Sequence, residues 1–318
     1  MTAATPIRVA VTQAEPVWLD LNATVDKTCA LIAEAAANGA QLISFPECWV
    51  PGYPAWIWTR GVDPTLTTEY MRNSLRYDSP QMKKIQTTAA KHKLVVVLGF
   101  TENEHDSLYI AQTIINSDGK VLAARKKIKA THMERTVFGD SRGDCLDSVA
   151  DTGVGRVGAL SCWEHIQPLL KYHTYSLREQ IHVGAWPPVA KYSDDGNLFS
   201  LSQEGTSAIS QTYAIESQSF VLHTTTVLTE KGIERMQTQQ GGLMQKPGGG
   251  SSAIFAPDGR KISRDLPEDQ EGILYADLDF NEISISRSFV DVCGHYSRPD
   301  LLWLGVNDSV QHHVRRKE

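Results

Sequence analysis

The segment Leu94-Val-Val-Val-Leu-Gly-Phe100 is apolar and largely β-branched, with no polar alternation. That is the pattern of a strand buried on both faces, so it calls for cover on each side. Similar punctuation runs through the first half. Ile7 to Thr12 reads as a strand, and Asn22 to Asn38 as an amphipathic helix with Val25, Cys29, Ile32 and Ala36 on one face and Gly39 at its stop. Gln41 to Phe45 is a strand candidate that ends at Pro46 and Glu47; Tyr109 to Asn116 and Lys120 to Ala124 form a hairpin through Ser117-Asp118-Gly119.

The second half repeats the plan. Gly155 to Ser161 is a strand ending at Cys162, Leu169 to Gln180 a helix, Ile181 to Ala185 a strand running into Trp186-Pro-Pro188, and Phe220 to Val227 another strand. Ser252 to Ala256 meets Lys261-Ile262 through Pro257-Asp258-Gly259, a second hairpin, and Lys246 to Ser252 is a glycine-rich loop. Two such halves predict an α/β chain with two sheets face to face and helices outside, as one domain over residues 1–280. From Asn281 the pattern turns irregular, so 281–318, ending in His312-His-Val-Arg-Arg-Lys-Glu318, reads as an exposed tail contacting a neighbouring subunit.

Composition narrows the function classes. With 318 residues, 41% hydrophobic and 21% charged, the chain has ordinary globular usage and needs no disulfide or metal to build a core. A formal net charge of -6 argues against nucleic acid as ligand. No apolar run approaches the roughly 18 residues of a membrane span, and the N-terminus lacks a leader pattern, so a cytoplasmic protein is expected. The five cysteines are scattered without a Cys-x-x-Cys pair, and the histidines lack ligand spacing, so no metal site is predicted. Gly153-Val-Gly155-Arg-Val-Gly158 matches a dinucleotide fingerprint but precedes a strand instead of opening a helix, and is read as a turn.

Cys162 differs from the other cysteines by lying at a strand end before Trp163-Glu164-His165. A thiol there meets free backbone N–H groups, but at a pKa near ~8.5 it needs a neighbouring base or cation to act as a nucleophile. Glu47 lies in an apolar, aromatic stretch, Phe45 to Pro54, that would raise its pKa towards that of a general base. In Arg125-Lys126-Lys127-Ile128-Lys129 the first three cations read as a solvated run. Alternation puts Lys127 and Lys129 on one face without choosing between them. Tyr53, Trp56, Trp58, Trp163 and Trp186 lie near these positions and suit an aromatic-lined pocket, or else fill the core.

Phe45-Pro-Glu47, Arg125-Lys-Lys-Ile-Lys129 with Thr131-His-Met-Glu-Arg135, and Cys162-Trp-Glu-His165 together resemble the nitrilase superfamily, in the family's order. Gln180 to Pro188 and Gly294 to Pro299 extend the likeness, which is strongest to the nitrilase and cyanide hydratase branch. The resemblance implies a four-layer αββα sandwich that pairs into homodimers and extends into spiral homo-oligomers through C-terminal regions. It implies Cys162 as nucleophile, Glu47 as base, Lys129 (the last lysine of its run) as stabiliser of the tetrahedral intermediate, and Glu134 as an orienting glutamate. Tyr53, Trp163, His165 and Trp186 are the expected substrate contacts, with no cofactor or metal. The implied reaction converts an organic nitrile to carboxylic acid and ammonia. Alternatives are conversion of cyanide to formamide, and a catalytically silent scaffold, which would lack one of Glu47, Lys129 and Cys162.

Overall fold

A computed structural model describes residues 6–193, 198–310 and Val314; of the stretch His312–Glu318 only Val314 is among them. The first half runs β1 (Ile7–Ala14), α1 (Leu21–Ala37), β2 (Leu42–Ser44), α2 (Pro64–Asn73), α3 (Pro80–His92), β3 (Val95–Glu104), β4 (Ser107–Ile115) and β5 (Val121–Lys126). Next come β6 (Val149–Thr152), β7 (Gly155–Ser161), α4 (Pro168–Ser176), β8 (Ile181–Ala185), α5 (Gln203–Ser217) and β9 (Phe220–Thr226). The chain continues with α6 (Glu230–Met236), β10 (Ala253–Phe255), β11 (Gly272–Leu278) and α7 (Asn281–Phe289).

The strands follow the order β5-β4-β3-β2-β1-β9-β8-β7-β6, with β10 beside β9 and β11 beside β1. In each half the inner strands, β1-β2-β3 and β9-β8-β7, are parallel and the outer ones antiparallel. Among the described residues the two runs of parallel strands meet edge to edge where Gln13 and Ala14 pair with Thr225 and Thr226, and β11 pairs antiparallel with β1 along Ile7–Gln13. Either side of that seam the sheet folds onto itself. Val9, Val11, Val95 and Val97 of one half share a buried cluster with Val157, Ala159, Val183 and Leu222 of the other. The opposite face of the first half is covered by Val25 and Ile32 of α1 with Met82 and Ile85 of α3. The opposite face of the second is covered by Leu170 of α4 with Tyr213 and Ala214 of α5. The result is the αββα sandwich, and it explains why Val95–Leu98 lacks alternation: one face meets helices and the other a second sheet.

Several elements differ from expectation. The helix after Cys162 ends at Ser176, and the second hairpin shrinks to the single bridge Phe255↔Lys261. Residues 281–289, expected to be irregular, form α7, which buries Ile283 in the inter-sheet core. Gly153–Gly158 makes the β6–β7 turn and enters β7, with Thr152 paired to Gly155, as the strand reading requires.

Candidate active site

Two of the parallel strands and the end of β5 deliver the candidate residues to one place. Glu47 lies in the turn after β2, Cys162 directly after β7 and Lys127 one residue beyond β5. A carboxylate oxygen of Glu47, one of Glu134 and Sγ of Cys162 lie within 4.8 Å of one another. Lys127 Nζ donates to Glu47 Oε1 at 2.9 Å and to Glu134 Oε2 at 2.8 Å. Two carboxylates and a thiol could hold a metal ion, but the Lys127 ammonium already occupies the position between both carboxylates that a cation would take.

Lys129 is not part of this cluster, and the expectation for it is corrected. Its side chain is 55% exposed and pairs with Asp140. Alternation fails because the chain leaves the sheet: Lys127 N–H still bonds Ile110 O at 2.7 Å, but 128–129 form a bend that turns Lys129 outwards. The solvated reading of Arg125, Lys126 and Lys127 is corrected as well, since all three are buried. Arg125 donates to Glu164 at 2.6 Å; Glu164 also accepts from Ile128 N–H at 2.9 Å and Ser161 N–H at 2.8 Å. One carboxylate thus ties the end of β5, which carries Lys127, to the turn that carries Cys162. Sequence reasoning missed this residue, although it stands between Trp163 and His165 in the motif.

Cys162 itself has φ +50°, a left-handed backbone that costs a non-glycine residue on the order of 1 kcal/mol. It opens a 3-10 turn, Cys162–Ile166, and the Trp163 N–H donates towards its sulfur. Burial pushes the thiol well above its usual pKa, Glu47 and Glu134 add to this, and Lys127 only partly opposes them. The Cys162 thiol is therefore neutral at rest, and acting as a nucleophile would require it to lose its proton. Burial pulls Glu47 above the usual carboxylate range with a push from Glu134, while the Lys127 ammonium bonded to its Oε1 at 2.9 Å favours the ionised form. Its Oε2 is buried and accepts no hydrogen bond, so it is free to receive that proton. Burial works against the Lys127 ammonium, but Glu134, Glu47 and Cys162 outweigh it and hold the group charged. Glu134 is pinned by Tyr53 Oη at 3.0 Å and Thr131 N–H at 2.7 Å, and Tyr53 in turn accepts from Trp58 Nε1 at 3.2 Å.

Gly99 of β3 matters to this geometry. A Cβ there would strike the Pro46 carbonyl and crowd Glu47 Cα. Gly99→Ala is expected to lower stability by about 1–3 kcal/mol and to depress turnover by displacing Glu47, read by thermal unfolding and steady-state kinetics. A variant with unchanged Tm and turnover would show that the Glu47 turn moves freely.

A cavity of about 340 Å³ opens over Cys162. Tyr53, Trp58, Glu134, Trp163, Trp186 and Leu201 line it, with the loops 187–193 and 242–247 at its rim. Glu47 and Lys127 stay behind its wall. Of the expected substrate contacts, Tyr53, Trp163 and Trp186 reach the cavity. His165 does not; it is 1% exposed, stacks on Trp186 and points its ring nitrogens to Cys162 O and His182. Trp56 is core, edge-on to Tyr70.

A family model described as carbon-nitrogen hydrolase matches residues 8–287. Proteins named arylacetonitrilase resemble the chain closely: one from Aspergillus kawachii is 71% identical over 97% of this chain and 94% of the relative, and one from Aspergillus niger 72% over the same shares. One from Hypocrea virens is 57% identical, again over 97% of this chain and 94% of the relative. Among solved structures, the C. elegans NitFhit protein superposes with TM-score 0.72 at 18% identity, over 98% of this chain and 70% of that one. A carbon-nitrogen hydrolase from Helicobacter pylori gives 0.69 at 17%, over 89% and 92%. At such identities the two structures speak to the fold alone.

Proposed function

Because this chain belongs to the carbon-nitrogen hydrolase family, we propose that it is a nitrilase, hydrolysing an arylacetonitrile to its carboxylic acid and ammonia. The observation that carries the reading is the unpartnered, proton-accepting Oε2 of Glu47 in one buried cluster with the Cys162 thiol, beneath an aromatic cavity. Glu47 takes the thiol proton as Sγ attacks the nitrile carbon, and the proton passes to the nitrile nitrogen, giving a thioimidate. Water then adds with Glu47 again the base, and Lys127 with the Trp163 N–H stabilises the tetrahedral intermediate. Departure of ammonia leaves a thioester, which a second water hydrolyses to acid and free thiol. Glu134 holds the Lys127 ammonium in place.

The arylaceto- preference is supported by the names of the most similar relatives and by Trp58, Trp163 and Trp186 on the cavity wall. The exposed Phe289, Tyr296, Leu301, Leu302 and Trp303 support a role for the segment from 281 onward in homodimers and longer spiral assemblies beside a 1–280 catalytic domain. Among the described residues no helix is long and apolar enough to cross a membrane, and the five cysteines are free, which supports a reducing, cytoplasmic setting.

Ammonia release from phenylacetonitrile, benzonitrile, an aliphatic nitrile and cyanide, with acid and amide resolved by chromatography, tests this. Phenylacetic acid and ammonia in excess over the other products, and none with Cys162→Ala, are expected. Formamide from cyanide alone would make the enzyme a hydratase. No turnover of any of the four would sink the nitrile reading and leave amide substrates or the scaffold.

A further inference from the structure

Behind the cavity runs a chain of buried polar groups that the nitrile chemistry leaves unused. Tyr213 Oη donates to Glu179 Oε1 at 2.6 Å; Glu179 Oε2 lies 2.8 Å from His182 Nδ1. His182 Nε2 lies 2.9 Å from His165 Nε2, and His165 Nδ1 lies 2.6 Å from the carbonyl oxygen of Cys162. None of these four side-chain-bearing residues is more than 1% exposed. A Cβ on Gly158 of β7 would collide with Glu179 Oε2, so a glycine there makes room for the carboxyl.

Counting protons along the chain fixes their positions. A carbonyl oxygen only accepts, so His165 Nδ1 carries a hydrogen. A neutral imidazole has one, so His165 Nε2 accepts and His182 Nε2 donates. His182 Nδ1 must then accept, and the hydrogen it accepts sits on Glu179 Oε2. The other ways to complete every link put an imidazolium, on His182 or on His165, together with a Glu179 carboxylate in a dry interior, where separated charge is disfavoured.

We propose that Glu179 is a positioning residue held as a neutral carboxylic acid, which through His182 and His165 donates a hydrogen bond to the Cys162 carbonyl and so secures the left-handed backbone that aims the thiol into the cavity. Burial, opposed by Tyr213 and Arg287, lifts Glu179 to about 8, and burial also holds both imidazoles below their usual range, His165 at about 3. The groups facing this unit are Tyr213 from α5, Tyr175 from α4 packed edge-on against Tyr213, Arg287 from α7, whose Nη2 donates to Glu179 O at 3.0 Å, and, towards His165, Lys171 of α4 and His223 of β9. Arg125 and Glu164 act on His182 in opposite senses. Loss of the Glu179 proton makes His182 Nδ1 the donor and reverses each link, leaving His165 Nδ1 lone pair against the Cys162 carbonyl.

Glu179→Gln tests this, because its amide N–H replaces the acid O–H and its carbonyl still accepts from Tyr213. With phenylacetonitrile as substrate, the variant is expected to keep kcat at neutral pH within about threefold of the parent. The ratio of variant to parent kcat should then rise, by at least about threefold, as pH climbs past the Glu179 transition, since only the parent can lose this proton. A ratio that stays flat with pH overturns the proposal. So does a loss of about tenfold or more at neutral pH with unchanged Tm, which would mean that the carboxylate charge is used. Should Glu179→Gln fold poorly, Tyr213→Phe removes a donor that favours the carboxylate. It should move the alkaline fall in kcat to higher pH, and no move or a move downwards overturns the proposal. The proposal rests on Cys162 as nucleophile. Turnover by Cys162→Ala would sink that reading, whereas a flat ratio beside an inert Cys162→Ala sinks only this one.

Discussion

Replacing Lys127 with methionine is expected to abolish measurable turnover and to destabilise the fold by about 3–5 kcal/mol, because it leaves two buried carboxylates facing each other without their cation. Loss of the donor at the tetrahedral intermediate alone accounts for about 10²–10³ in kcat. Lys129→Ala should do neither, since an exposed pair contributes about 0–1 kcal/mol. The two variants, compared by ammonia release and thermal unfolding, separate neighbouring lysines that spacing leaves equivalent. An inactive Lys129→Ala beside an active Lys127→Met would reverse the assignment.

Cys162→Ala is expected to reduce kcat by at least about 10⁴-fold, with little change in Tm, since one sulfur is lost from a site beside open space. Glu47→Gln should cost about 10²–10⁴ in kcat, because the amide cannot take the thiol proton. The second variant carries more information than the first. The thiol is pushed up by its surroundings and is not a preformed thiolate, so alkylation by iodoacetamide should slow in Glu47→Gln as turnover does. Unchanged alkylation with lost turnover would confine Glu47 to activating water.

Strand positions were legible because burial on both faces writes itself as continuous apolar runs. Gly155–Ser161 and Ile181–Ala185 match their predicted bounds, and the places of Glu47 and Cys162 were legible because both sit just after strands. What stayed hidden has physical causes. Helix α5 buries Thr206, Ser210 and Ser217, small polar residues that supply no apolar stripe for periodicity to find. Strands β6 and β11 pair antiparallel with β7 and β1 and carry charged residues such as Asp151 and Asp277, which break the apolar run. The choice between Lys127 and Lys129 turned on one bend, which no local pattern announces. The roles of Glu164, Glu179 and His182 depend on contacts across 36, 34 and 17 positions of sequence, so only the folded chain displays them.

Glu47 and Lys127 lie behind the cavity wall, whereas the rim is built from the loops 187–193 and 242–247. The groups proposed to set reactivity and those that shape the cavity therefore lie on different segments of the chain. A library randomised at Tyr192, Leu243 and Met244 would sort nitriles by size and outline while leaving the protonation of Glu47 and Lys127 untouched. Changes in those loops can alter which nitrile fits without disturbing the charge balance between Glu47 and Lys127.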